Sequence, residues 1–413
     1  MTTVTVALPR PTMIMRLLVG RGAFRIGVQV AGAALVTAWD ADTFSSYAGA
    51  VGLCAWLVLV GNLPEKAALK VLARTRVLGP AVARLTLAMA AAPTIVLLAV
   101  LLPVALFAPW STATTYLAAG AAAACTGLLM FVAGLHRLHG RPALDPIAFG
   151  ACGAVVVAVT GATLLVGWAV QVHLLLVLAG TIGITAAAVA ALPRDWLRGT
   201  GPRRRLIPRI ARVTWLLGVT DLLDVLCVPV VYLLLAVTGQ ADQSGTLYLA
   251  LLPAVAVGQV VTYLLRLAQP ATSHRLRGVH GRAGRTRART LLRRCERIGI
   301  GFAAVLAGLL AVPAGREWLA GDAGRLPALG VLVGILLIVD LTVLYACYLL
   351  ENTTNDLLAV TSSGALVGLV ATAVLAAAMV PPLGAVGGTA ALALAIPIRA
   401  YVMGRMLTSH GSE

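Results

Sequence analysis

Acidic residues are scarce in this chain: 15 among 413, against 32 basic ones, for a formal charge of +17. Lysine is scarcer still. Only Lys66 and Lys70 occur, so nearly all the positive charge is arginine. Charged residues make up 11%, far below the quarter usual in soluble domains, while 60% are hydrophobic and mean hydropathy is +0.95. That excludes a water-soluble globule. Cysteine offers no framework either: Cys54, Cys125, Cys152, Cys227, Cys295 and Cys347 show no C-x-x-C spacing, which argues against disulfides and metal sites. Aromatics amount to 5% and do not interleave with a basic patch, so nucleic acid is not the partner that the pI of 10.8 would otherwise imply. No Walker pattern or other cofactor motif appears; Gly384–Gly388 reads as close helix packing.

What is present is a succession of apolar runs. Spans of roughly 20 residues fall at 19–39, 43–63, 80–108, 113–135, 146–168, 171–192, 211–238, 246–267, 296–313, 327–350, 357–380 and 384–406. Of the 32 basic residues, 30 lie at the termini, in even-numbered connections or on the span ends that adjoin them, with Arg316 and Arg325 the exceptions. Basic loops resist translocation, so both termini and the Arg-rich connections are expected in the cytoplasm of a multi-pass plasma-membrane protein. Anionic lipids are the expected partners of those Arg-rich loops, above all Arg266–Arg297. Arg16–Arg25 followed by Ile26–Ala38 imitates a signal peptide, but Gln29 interrupts the run and favours a permanent first span.

The Arg-rich connection Pro193–Arg212 leaves six spans on each side, and the halves echo one another. Ala41-Asp42 with Tyr47 finds a counterpart in Ala241-Asp242 with Tyr248. Parallel repeats about an axis along the membrane normal account for that. The expected fold is therefore all-α, about 12 transmembrane helices in an N-terminal bundle over residues 1–200 and a C-terminal bundle over 201–413. Six plus six spans, small external loops, a basic linker and the stretches Tyr47–Arg76 and Tyr263–Arg277 resemble the multidrug/oligosaccharidyl-lipid/polysaccharide (MOP) exporter superfamily, and within it the oligosaccharide-lipid flippases. The resemblance implies two six-helix bundles around a central cleft lined by the first and seventh helices. No single motif in it is diagnostic.

Ionisable groups inside a bilayer are costly and mark function by default. Asp221 and Asp224 stand three residues apart on the seventh span, hence on one face, and Asp340 lies near the middle of the tenth. Each is a candidate for taking up a coupling ion, H⁺ or Na⁺, or for pairing between bundles; a buried structural carboxylate is the plainer alternative. Arg21, Arg25 and Gln29 recur every four residues on the first span. Such a stripe suits a phosphate or pyrophosphate, since Arg offers bidentate donors, although arginines near a span end also snorkel to headgroups. Arg25 and Asp224 sit at comparable depths and are expected to pair.

The reading that follows is a secondary transporter, a flippase or exporter of a lipid-linked oligosaccharide or polysaccharide precursor working by alternating access. A cation-coupled multidrug exporter is the alternative. An integral membrane glycan-modifying enzyme is the third reading: Asp40-Ala41-Asp42 imitates the Asp-x-Asp of lipid-phosphate glycosyltransferases, but its loop is too short for such a site. No catalytic set and no cofactor are expected.

Overall fold

The computed structural model describes residues 11–72, 79–198, 206–276, 280–353 and 357–409. Arg10, Arg74, Arg76, Arg203, Arg204, Arg205, Arg277 and His410 lie outside the described residues. The described elements are all helical, as hydrocarbon demands: a backbone without water must satisfy its own N–H and C=O groups. They are α1 (Pro11–Ala38), α2 (Ala41–Cys54), α3 (Leu57–Leu72), α4 (Gly79–Phe107), α5 (Thr112–Leu138), α6 (Leu144–Val166), α7 (Val170–Ala190), α8 (Arg194–Arg198), α9 (Leu206–Val237), α10 (Ser244–Arg275), α11 (His280–Ala311), α12 (Pro313–Ala320), α13 (Asp322–Glu351) and α14 (Leu358–Ser409), with a 3₁₀ turn at Ala241–Gln243.

Nine stretches among the described residues are long and apolar enough to cross a membrane, and α11 with α12, bent by 105°, makes a tenth. The second expected span is α2 running into α3. The 52-residue α14 counts once but is two arms, because Gly384 at φ 55° and ψ −130° breaks it. With the 28-residue α1, the twelve expected spans are all accounted for. This is a multi-pass membrane protein.

Two compact units divide the chain, Met15–Val225 and Leu226–Glu413 with Met1–Ile14. In the first, α5 is the central helix: 72% of its apolar window is buried, against 17% for α4. Its sequence explains the position. Ala118, Ala121 and Ala124 are fully or almost fully buried, and their small side chains let α3 and α7 approach closely. A Cβ on Gly61 of α3 would lie 2.6 Å from the Ala124 carbonyl oxygen of α5, so those backbones nearly touch. Below them Phe131, Val132 and Leu135 form a core with Ala68, Ala90 and Leu192.

In the second unit, α11, α13 and α14 pack on one another around Ala288, Leu292, Cys295, Val339, Val343, Leu350 and Met403. The long basic connection expected before the ninth span is mostly helix here. Arginine is a good helix former, and apolar or small residues at 281, 284, 288, 292 and 295 give that stretch a buried face.

The break in α14 has a defined chemistry. Pro381 and Pro382 withhold donors, the Pro381 carbonyl accepts from Gln240 Nε2 at 2.7 Å, and Ala385 N donates to Gln243 Oε1 at 2.9 Å, restarting the helix. Gly384 → Ala is expected to cost about 1–3 kcal/mol, since it forces a side chain into positive φ against the Gln243 amide. Thermal unfolding in detergent checks it. Gly330 → Ala, where a Cβ meets nothing within 4 Å, should leave the midpoint unchanged or raise it.

Candidate functional site

The arginine stripe of α1 meets an acid that sequence reasoning missed. Asp145 lies in the first turn of α6, one residue outside the expected span, and its side chain is fully buried. Arg21 grips it from two nitrogens, Nε to Oδ1 at 3.0 Å and Nη2 to Oδ2 at 3.1 Å. Arg137 of α5 approaches the same carboxylate at 3.4 Å and donates from Nη2 to Glu65 Oε1 of α3 at 2.7 Å. Two arginines and two carboxylates thus form one neutral chain linking α1, α6, α5 and α3. Gly20 makes the first link possible by letting α1 press on Pro146, and Gly134 the last, because a Cβ there would sit 2.6 Å from Glu65 Oε1. The Arg21 guanidinium also lies 4.8 Å from the Phe149 ring centroid.

Glu65 and Asp145 fall just outside the expected spans 43–63 and 146–168, yet both lie at the ends of apolar stretches in the structure. The signals were there, an Asp just before Pro146 at a helix start and a Glu just after Pro64. Asp145 → Ala leaves Arg21 and Arg137 without their shared acceptor and is expected to cost about 3–5 kcal/mol. A paired Arg21 → Met, Asp145 → Leu variant should recover much of that stability, read by thermal unfolding in detergent.

Arg25 and Gln29 follow Arg21 at one-turn intervals and are half-buried, with the Arg25 guanidinium 6.0 Å from the Phe24 ring centroid. On α9, Asp221 and Asp224 share a face, both half-buried, inside the apolar window Gly218–Val237. Asp340 lies on α13 within its apolar window, exposed on the surface of its unit.

The second unit holds a cation that the sequence placed among the terminal anchors. Arg399 of α14 is only 8% exposed, its Nη2 donating toward Cys347 Sγ at 3.3 Å, with its stem against Gly368. It lies within electrostatic reach of Asp340 and Cys295. A lone Arg near the C-terminus reads as an anchor unless the helix register against α13 is known.

The Asp-x-Asp at Asp40 is a helix cap. Asp40 Oδ1 accepts from Thr43 N at 2.8 Å at the start of α2, and these hydrogen bonds hold its exposed carboxyl below the usual range. A depressed carboxylate stabilises above its unfolded pKa and loses that contribution as pH falls through the folded one, so the cap weakens only in acid. His173 is buried in the first turn of α7, with Thr163 Oγ1 3.0 Å from Nδ1 and the rings of Trp39 and Tyr47 at 5.5 and 5.9 Å. His136, one residue beyond the expected span 113–135, is buried on α5, its Nε2 2.8 Å from the Ala188 carbonyl. Among the described residues no group of His, Cys, Asp and Glu is arranged to hold a metal ion.

No protein-family model and no curated protein matches the sequence. Solved structures do match the fold. An inward-facing multidrug resistance MATE family transporter of the MOP superfamily aligns over 96% of this chain and 98% of its own, at 15% identity and TM-score 0.57. A MOP superfamily transporter from Pyrococcus furiosus, described as having a binding pocket of reverse polarity that suggests a different function, covers 97% and 95% at 15% identity and TM-score 0.53. A mutant of a Vibrio cholerae MATE transporter covers 97% and 96% at 14% identity and TM-score 0.52. At these identities the likeness is one of fold.

Proposed function

We propose that this chain is a secondary transporter working by alternating access, and that its cargo is a small amphiphilic, often cationic molecule exported at the expense of an ion gradient. The observation that carries this reading is the balance of charge at membrane depth. Arg21, the first candidate for holding a phosphate, already commits two of its donors and its charge to Asp145. Asp221, Asp224 and Asp340 stand within apolar spans. Acids in such places suit a cationic cargo or a coupling H⁺ or Na⁺, because either neutralises a charge that hydrocarbon disfavours. The fold likeness to multidrug transporters over nearly the whole chain supports the same class. Asp224 and Asp340 are the proposed ion-coupling residues, with Asp221 one turn away on the face of Asp224. Residence in the plasma membrane with both termini cytoplasmic follows from the arginine distribution.

A second reading, the lipid-linked glycan flippase, keeps one specific support: Arg25 and Gln29 continue the stripe beyond Arg21 and are half-buried. In that reading Arg25 holds phosphate and pairs with Asp224 when no cargo is bound. The reversed pocket polarity described for the Pyrococcus furiosus transporter is a reason to keep cargo charge open to experiment.

The test is cationic-dye efflux from an efflux-deficient bacterial host expressing the chain, with the proton or sodium gradient collapsed in turn. Efflux is expected to depend on one gradient, and Asp224 → Asn and Asp340 → Asn should each lower it by about 5–150-fold at unchanged expression. Dye transport indifferent to both gradients and both substitutions would sink the exporter reading. Arg25 → Gln should leave dye efflux largely intact; its selective effect on the flipping of a polyprenyl-phosphate glycan in reconstituted vesicles would favour the flippase instead.

A further inference from the structure

α11 carries seven arginines and one acid, Glu296, in its 32 residues. Arg282, Arg289, Arg293 and Arg297 are spaced by seven, four and four, which puts them on one face, opposite the buried Ala288, Leu292 and Cys295. Arg282, Arg293 and Arg297 are exposed.

Their depth follows from the neighbours. Arg289 donates to the Leu407 carbonyl, in the last turn of α14, 23 residues beyond the break at Gly384. That is about 34 Å of helix, the length of an ordinary span, so Arg289 marks the membrane boundary. Eight residues further on, Arg297 lies roughly 12 Å deeper. Cys295 agrees, its Sγ 4.0 Å from the Val339 carbonyl in the body of α13. The apolar remainder, Ile298–Ala311, spans only about 21 Å, some 9 Å short of a hydrocarbon layer of roughly 30 Å.

The same face continues below the arginines as small residues. Gly301, Ala304, Gly308 and Ala311 follow Arg297 at helical spacing and all are exposed. A Cβ on Gly301 or Gly308 would meet nothing within 4 Å, while exposed Ile300 and Val305 stand beside them. The result is a shallow apolar track leading straight from a pair of arginines. It is about 15 Å long, half the hydrocarbon thickness.

We infer that this face of α11 is a binding site for an anionic glycerophospholipid of the surrounding bilayer, its phosphate on Arg293 and Arg297 and one acyl chain along Gly301–Ala311. The head supplies the charge that the arginines lack, and drawing it inward makes up the short apolar length. The track matches a leaflet-length acyl chain and is too short for a long polyprenyl chain. Transport is not part of the argument, so it stands whichever cargo is moved.

The experiment is native mass spectrometry of the full chain released from nanodiscs holding equal amounts of phosphatidylglycerol and phosphatidylcholine. The wild type is expected to retain phosphatidylglycerol over phosphatidylcholine by about tenfold or more. Arg293 → Gln with Arg297 → Gln should abolish the preference, and Arg293 → Lys with Arg297 → Lys should keep most of it. Ala304 → Leu with Gly308 → Leu, which fills the track and leaves the arginines alone, should lower the retained lipid several-fold. The site is refuted if the wild type shows no preference, if the Gln pair retains it, or if filling the track changes nothing. Displacement of the lipid by millimolar inorganic phosphate would mean a free-anion site, and a polyprenyl-linked glycan in place of the phospholipid mass would mean cargo. Either overturns the inference. Should the Gln pair fail to fold, the wild-type preference, the phosphate competition and the track variant still decide.

Discussion

A charge carried into hydrocarbon must find a partner or water, and that requirement orders this molecule. In the N-terminal unit it is met by a closed chain of ion pairs. Asp145 receives Arg21 in parallel bonds and Arg137 from the side, and Arg137 passes on to Glu65. The chain is neutral and each partner comes from a different helix, so it sets the register of α1, α3, α5 and α6 together. Small residues then do what they do in membranes, where no hydrophobic effect presses helices together: they bring backbones near enough for dispersion to hold them. Gly20, Gly61 and Gly134 stand where a Cβ would strike the neighbouring helix or the Glu65 carboxylate.

The C-terminal unit meets the requirement differently. Arg399 is buried against Cys347 and the glycine side of α14, with Asp340 within electrostatic reach on α13. Its basic face on α11 has one acid, Glu296, in its own helix, so compensation must be sought outside that helix. Both units carry more basic than acidic residues; the first joins two of its arginines to buried carboxylates, whereas the second presents a row of arginines along one helix. That difference is chemical, and the similar helix count of the two halves conceals it.

Hydropathy made the spans legible because an apolar run near 20 residues in length has few alternatives. Arginine placement made the connections legible for the same reason. Less visible was where a connection ends and a helix begins. Arg282–Arg297 looked like a loop because its composition is polar, yet Gly284, Ala288, Leu292 and Cys295 supply the buried face of a continuous helix. Composition averages over a turn, and burial does not. Asp145 and Glu65 escaped for a related reason: a boundary misplaced by one or two residues moves a carboxylate from a site to a loop. Arg399 was invisible in another way, since only the packing of α14 on α13 shows that it is buried.

The candidate site shows the same limit from the functional side. Asp221, Asp224 and Asp340 could be named from sequence because an acid within an apolar run is costly and stands out. The arginine stripe could be named from its four-residue period. What the sequence withheld was the partner of Arg21, a carboxylate brought in by another helix. A guanidinium bonded to a carboxylate from two nitrogens has its charge and one paired donor edge taken up, so Arg21 serves the architecture of its bundle. Arg25 follows one turn later on the same helix, half-buried beside Phe24. The aspartate that fixes Arg21 arrives from more than a hundred residues away, a pairing that only the fold reveals.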